Sequence, residues 1–154
     1  MANAENRLLL TTGNKSELAV GYCTLYGDMC GALNPIGDVY KTEVYALARY
    51  LNGKKRIFSD RLLAKAPSAE LRPNQKDQDT LPPYEVLDTL IMAYMEARQT
   101  PEALVAAGFD PDVVAWFVRA FHHQEYKRNQ APPILKVRPR SFGIGWRYPI
   151  VKHV

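Results

Sequence analysis

The sequence has no apolar run long enough to span a membrane and no basic-then-apolar leader with a cleavage site, so the protein is expected to stay where it is made. Cysteine is scarce. Cys23 and Cys30 have no flanking pairs of Cys or His ligands, which argues against a zinc site or a disulfide frame and points to free thiols in the cytoplasm. Internal repeats and low-complexity tracts are absent, and acidic residues stop at Glu125. What is present suits one globular core: 154 residues, 47% hydrophobic and 23% charged, with a net charge of +4.

That charge is uneven. Lys127, Arg128, Lys136, Arg138, Arg140, Arg147 and Lys152 follow the last acid, interleaved with Phe142, Trp146 and Tyr148. A basic module that binds nucleic acid is one reading of this tail. The Pro-rich PPILKVRPR and the closing RYPI instead suit an ordered arm packed on a partner surface, so nucleic acid is not the expected partner.

Leu8 to Glu17, LLLTTGNKSE, carries the most information. A short apolar run breaks at Thr-Thr-Gly-Asn into a helix start, so a buried strand would end, a glycine would allow a tight turn, and helix N–H groups would face an anion. Thr11, Thr12, Asn14 and Ser16 add small hydrogen-bonding groups, and Glu17 sits in the first turn, favoured by the dipole or able to hold a cation. The same letters also fit a plain strand-to-helix turn with an Asn or Ser N-cap.

Along the chain, the pattern predicts a buried parallel strand at Arg7–Thr11, a helix over Ser16–Tyr26, a loop through Gly37, and an amphipathic helix over Val39–Leu51 closed by Asn52 and Gly53. Leu71–Pro83 has no apolar period and is expected to be a long surface loop, the kind that often carries function. A helix should run from Pro83 to about Arg98, with Val86, Leu87, Leu90, Ile91 and Tyr94 inward. A short one follows, capped by Thr100 and ending by Ala107. Asp110–Pro111 starts the last long helix, with Val114, Phe117, Val118 and Phe121 inward, which stops near Ala131; Ile134–Val137 is a short strand or an extended arm. One strand cannot satisfy its own backbone, so the pattern reads as part of an α/β domain that associates with other strands or is marginal alone.

Several strings in order resemble one family. TTGNKSELAVGYCTLYGD at Thr11–Asp28, then Pro35 and Lys41, KAPSAELRPNQKDQD at Lys65–Asp79, LPPYEVLD at Leu81–Asp88 and EYKRNQAPP at Glu125–Pro133 resemble the C-terminal portion of the synthetase domain of glutamine-dependent NAD+ synthetase. The resemblance implies an α/β fold. It would be the C-terminal half of a Rossmann-like, adenine nucleotide alpha hydrolase-type domain, mostly helical here, with residues 1–154 as a partial synthetase domain. ATP and Mg2+ are implied as cofactors, deamido-NAD as substrate, and a homo-oligomer or association with the first half of the domain as the working form. The Ser-Gly-Gly-x-Asp-Ser pyrophosphate loop and the Cys-Glu-Lys glutaminase domain of such enzymes do not occur in the sequence.

By the same resemblance Thr12 contacts ATP, Lys41 its phosphates, and Ser68 in APSAEL the nucleotide. Glu17 is a carboxylate near magnesium or deamido-NAD, and Lys127 in EYKR reaches the substrate. Each has a plainer role as well: turn stabilisation for Thr12, a first-turn acid for Glu17, an exposed helix-start lysine for Lys41, a loop cap for Ser68 and a helix C-terminal cation for Lys127. No side chain is assigned a direct part in bond making. Leu25, Ala32 and Tyr126 stand where ammonia-dependent relatives carry Lys, Asp and His, which leaves Asp28 and the Lys76–Asp79 loop as candidate replacements. The implied reaction activates deamido-NAD as an adenylate and converts it to the amide with ammonia derived from glutamine. The chain alone is expected to be inactive, and a noncatalytic remnant serving as a nucleotide-binding or interaction module is the alternative.

Overall fold

The architecture follows from a few short helices whose buried faces meet at α4 and α6, as described for residues 1–151 of a computed structural model. Lys152, counted in the basic tail, lies outside the described residues. The elements are α1 (Lys15–Val20), α2 (Lys41–Lys54), α3 (Asp60–Ala64), α4 (Tyr84–Ile91) continuing as a π-helical turn at Met92–Glu96, α5 (Pro101–Ala106), α6 (Pro111–His123) and α7 (Glu125–Arg128), with 3-10 turns at Asn3–Glu5 and Asp77–Asp79. Among the described residues no helix is long and apolar enough to cross a membrane.

Local chemistry explains most boundaries. Thr100 accepts from Ala103 N–H and Asp110 from Asp112 and Val113 N–H, each followed by proline at the first helical position, so α5 and α6 begin where the sequence places them. The helix expected over Ser16–Tyr26 instead starts at Lys15 and ends at Val20. Gly21 takes φ +68° there and its N–H returns to the Glu17 carbonyl, a left-handed C-cap that outweighs the apolar spacing of Tyr22 and Leu25. α2 runs past its expected closure to Lys54. Asn52 stays helical and its side chain accepts from Ile57 and Phe58 N–H, so it staples the following turn. The helix expected to reach Arg98 changes to π geometry at Met92, and the last long helix breaks at Gln124 into α6 and α7.

The buried parallel strand at Arg7–Thr11 is not what forms. Leu8, Leu9 and Leu10 are 64%, 51% and 50% exposed, and pairing among the described residues is limited to isolated parallel bridges, Leu10 with Leu33, Asn34 with Ile134 and, apart from these, Phe142 with Trp146. Thr11 N–H donates to Leu33 O (2.9 Å) and Asn34 N–H to Pro133 O (2.8 Å), so the 32–34 stretch, expected to be loop, lies between two extended segments. The Leu8–Leu10 side of this small ladder has no neighbour among the described residues, and both faces of the segment meet solvent.

The core is helical. Leu18 and Ala19 of α1, Leu87, Leu90 and Ile91 of α4, Leu104 of α5, and Val114, Phe117 and Phe121 of α6 are fully or almost fully buried, and Met95 joins them from the π turn. Each large side chain withdrawn this way contributes about 1.5–3 kcal/mol. Val86, expected inward, is 36% exposed. The apolar positions of α2 bury nothing fully: Leu47 is 46% and Tyr50 59% exposed, so α2 presents a half-covered face.

Candidate functional site

Thr12, Glu17, Lys41 and Ser68 come from three separate stretches of chain and line one cleft of about 690 Å3, with Tyr22, Thr24, Asp28, Gln75 and Asp77 among the other walls. Asn14 starts α1 through a reciprocal cap. Its side chain accepts from Glu17 N–H (3.0 Å) while its own N–H donates to Glu17 Oε2 (3.1 Å). Glu17 Oε1 then accepts from Lys41 Nζ (2.9 Å), so one carboxylate serves the cap and pairs the cleft's cation. Lys41 is the first residue of α2 and its ammonium also lies over the Tyr84 ring, 5.4 Å from the centroid.

Two features of the expected anion cradle differ. Gly13 has no positive φ, and a Cβ there would make only an ordinary contact with Asn34, so this glycine is not needed for a tight turn. The first amides of α1 are also engaged: Lys15 N–H donates to Val39 O (2.9 Å) and Glu17 N–H to Asn14. Polar side chains, more than free helix amides, therefore face the cleft.

Ser68 Oγ accepts from Glu70 N–H (3.0 Å) and Thr12 is exposed at the rim. Lys127 is elsewhere. Its ammonium donates to Gly21 O (2.7 Å) and Cys23 O (2.8 Å), tying α7 to the turn after α1 that forms one wall of the cleft. Cys23 lines that wall, and burial pushes its thiol up to about 11, which suppresses the thiolate.

The expected surface loop at Leu71–Pro83 divides in two. Leu71–Asn74 is exposed, with Asn74 at φ +57°. Asp77 is buried and anchors the rest: its N–H donates to Pro67 O (3.0 Å), its carbonyl accepts from Leu81 N–H (2.8 Å), and its carboxylate accepts from the Tyr84 hydroxyl (2.6 Å). Burial raises the Tyr84 phenol well above its ordinary value, and the bond to Asp77 adds to this. Hydrogen exchange should therefore be fast at Leu71–Asn74 and slow at Asp77–Leu81, with Asp77→Ala speeding the second group about tenfold or more. Uniform exchange across both halves in the unsubstituted chain would overturn this division.

Sequence reasoning missed a charge network around the buried Lys15. Lys15 Nζ, fully buried, pairs with Asp38 (3.0 Å) and Glu96 (3.1 Å) and donates to Arg140 O (2.6 Å). Glu96 also accepts from Tyr40 OH (2.7 Å) and pairs with Arg138 (3.3 Å), which in turn pairs with Glu43. Burial works against ionised Glu96, but the bonds from Tyr40 and Lys15 and the charges of Lys15 and Arg138 hold it below its ordinary value. Asp38 Oδ2 accepts from Val137 and Arg138 N–H (both 2.8 Å), so the basic arm docks on the chain's own body through this network. The charge at position 15, one step past the Asn14 cap in an otherwise buried turn, was the available signal.

Metal binding has a narrow basis. Among the described residues no group of three or more His, Cys, Asp or Glu side chains could hold an ion. Glu17 is a single hard-oxygen donor beside Lys41, which suits magnesium arriving on a polyphosphate better than an ion caged by the protein.

Residues 1–131 match the NAD synthase family. The chain is 52% identical over 152 residues to a glutamine-dependent NAD(+) synthetase of Synechocystis sp., covering 99% of this chain and 27% of that protein. It is 50% identical over 149 residues to one of Aquifex aeolicus, covering 97% and 26%. It thus spans about a quarter of the length of these curated relatives. Among solved structures, a glutamine-dependent NAD(+) synthetase from Cytophaga hutchinsonii superposes with a TM-score of 0.70 at 27% identity, covering 97% of this chain and 25% of that one. An NH3-dependent NAD synthetase from Campylobacter jejuni gives 0.58 at 30% identity, covering 88% and 48%. The fold class is that of these α/β nucleotide-binding domains, here mostly helical with few strand pairings.

Proposed function

Since the chain belongs to the NAD synthase family, we propose that its cleft forms the phosphate-side wall of a site for ATP and deamido-NAD in NAD synthesis. One observation carries this reading: Thr12, Glu17, Lys41 and Ser68, distant in sequence, converge on a single cleft around the Lys41–Glu17 pair. Thr12 and Ser68 offer hydroxyls to the nucleotide, Lys41 an ammonium to the phosphates, and Glu17 a carboxylate to magnesium or deamido-NAD. Lys127, outside the cleft, spends two of its three donors on the Gly21 and Cys23 carbonyls and would reach the substrate only from behind the wall it holds.

In the complete reaction the deamido-NAD carboxylate attacks the α-phosphorus of ATP, forming an acyl–oxygen–phosphorus bond and releasing pyrophosphate. Ammonia from glutamine then adds at the acyl carbon and AMP leaves, giving the amide. Magnesium bound with the nucleotide supplies charge neutralisation on the phosphates. The chain's own residues would orient the nucleotide and keep water from the adenylate. Partners follow from the uncovered Leu8–Leu10 edge and the exposed face of α2, which suit a homo-oligomer or docking on further strands of the domain.

Calorimetric titration of the chain with ATP tests the reading. We expect weak binding that requires magnesium, because Glu17, Asp28 and Asp77 line the cleft against Lys41, the single cation among its described lining residues. Lys41→Ala should weaken it about tenfold or more, the worth of a charge-assisted contact. Equal affinity in the variant, or no binding at millimolar nucleotide with magnesium, would overturn the proposal.

A further inference from the structure

Asp88 has no place in the cleft, yet it is the carboxylate on which the cleft's geometry turns. It lies on α4 between Leu87 and Leu90 and is 2% exposed. Its Oδ1 accepts from the Ser16 hydroxyl, and its Oδ2 accepts from Thr42 N–H (2.9 Å) and the Thr42 hydroxyl (2.7 Å). Ser16 Oγ accepts in turn from Lys41 N–H (2.9 Å). A single carboxylate from α4 therefore reaches the N-terminal turns of both α1 and α2, at the positive end of each helix dipole.

The residues so held are the immediate neighbours of the functional pair. Ser16 precedes Glu17, and the amides bound directly or through Ser16 belong to Lys41 and Thr42. Glu17 and Lys41 leave their helices in the first turn, so the distance between carboxylate and ammonium depends on how the two helix starts are rotated against each other. The Lys15 N–H to Val39 O bond fixes how closely the chains approach, and Glu43 of α2 pairs with Arg138, but neither contact ties the first turn of α2 to the first turn of α1. Three acceptor contacts from Asp88, direct and through Ser16, make that tie. Burial raises the Asp88 carboxyl above its ordinary value while the bonds from Ser16 and Thr42 pull it down, as expected for a charge whose placement depends on those donors.

We propose that Asp88 is a positioning residue for the nucleotide-side cleft, setting the Lys41–Glu17 pair by holding Ser16, Lys41 and Thr42 on one carboxylate. The proposal rests on the function given above only for what the pair binds. A purely structural Asp88 would lower stability on removal and leave the pair as it is.

The test reads the pair directly, in the whole chain without nucleotide. In the nitrogen-15-labelled protein at low temperature, the Lys41 ammonium held by Glu17 should give a proton–nitrogen signal that exchanges slowly with water, assigned by its loss in Lys41→Ala. Asp88→Ala, folded by far-ultraviolet dichroism, should speed that exchange about tenfold, the scale of one hydrogen bond lost. Asp88→Asn should restore most of it, because its amide oxygen can accept from Thr42 N–H and its amino group can donate to Ser16 Oγ. An unchanged Lys41 signal in folded Asp88→Ala would overturn the proposal. Should Asp88→Ala fail to fold, Ser16→Ala breaks the link to Lys41 N–H, and an unchanged signal there overturns it equally. Failure of ATP to bind the unsubstituted chain would instead remove the nucleotide reading and leave this positioning result intact.

Discussion

Arg128→Ala is expected to unfold the chain under conditions where the unsubstituted protein is folded. Arg128 is 5% exposed, and its guanidinium carries a set of bonds that no smaller side chain reproduces. Nε donates to Glu125 Oε2 (2.9 Å), one amino group to Leu18 O (3.2 Å) and Ala19 O (2.8 Å), and the other to Phe121 O. The Leu18 and Ala19 carbonyls belong to the last turn of α1 and the Phe121 carbonyl to the last turns of α6, so one side chain satisfies carbonyl groups near two helix ends. The plane also stacks over Phe121 and Phe142 at 4.8 and 5.0 Å. Burial lowers the guanidinium's pKa from its ordinary value, and Glu125 works in the opposite sense.

Removing Arg128 leaves Glu125, itself 3% exposed, as a buried charge without its cation, together with three carbonyls short of a donor. Breaking such a pair costs about 3–5 kcal/mol, a large share of the roughly 5–15 kcal/mol that holds an ordinary domain together. Arg128→Lys should recover little, since an ammonium cannot span the same acceptors in one plane. Urea titration followed by dichroism decides it, and a stability loss below about 1 kcal/mol for Arg128→Ala would show that the network is dispensable.

What could be read in the sequence was what neighbours along the chain decide. Thr100 with Pro101 and Asp110 with Pro111 carry their own caps, and Val114, Phe117, Val118 and Phe121 repeat at helical spacing, so α5 and the inner face of α6 are legible. Gly21 was not read as a helix end, because the apolar letters after it argued for a longer helix, and a left-handed cap decides against letters that merely fit a period. The apolar stripe of α2 is real but only half covered, because a pattern reports which face wants burial and not how much is there to bury it. Lys15, Asp38, Glu96 and Arg138 meet from four distant stretches and leave no local signature. The candidate site divides the same way. The strand-to-helix letters place Thr12 and Glu17 together, while the convergence of Lys41 and Ser68 on them is a fact of tertiary packing that only the resemblance anticipated.

The chain is also expected to form no measurable NAD from deamido-NAD, ATP, magnesium and ammonia. Phosphate charge is the reason. ATP brings several negative charges to a cleft lined by Glu17, Asp28 and Asp77, with Lys41 as the one cation among its described lining residues, and Lys41 is already paired to Glu17 at 2.9 Å. The first amides of α1 are engaged by Val39 and Asn14, so no row of free backbone donors compensates. Preorganised donors on the phosphates supply about a thousandfold in rate or more, and a cleft with one paired cation offers few of them, so the barrier for the first chemical step stays high while weak nucleotide binding remains in place. Binding and turnover should therefore separate, with ATP retained in titration and no amide formed in a chromatographic product assay. Turnover that vanishes in Lys41→Ala would reverse this conclusion, because it would mean that the walls described here, acidic as they are, already hold the α-phosphorus in line for attack.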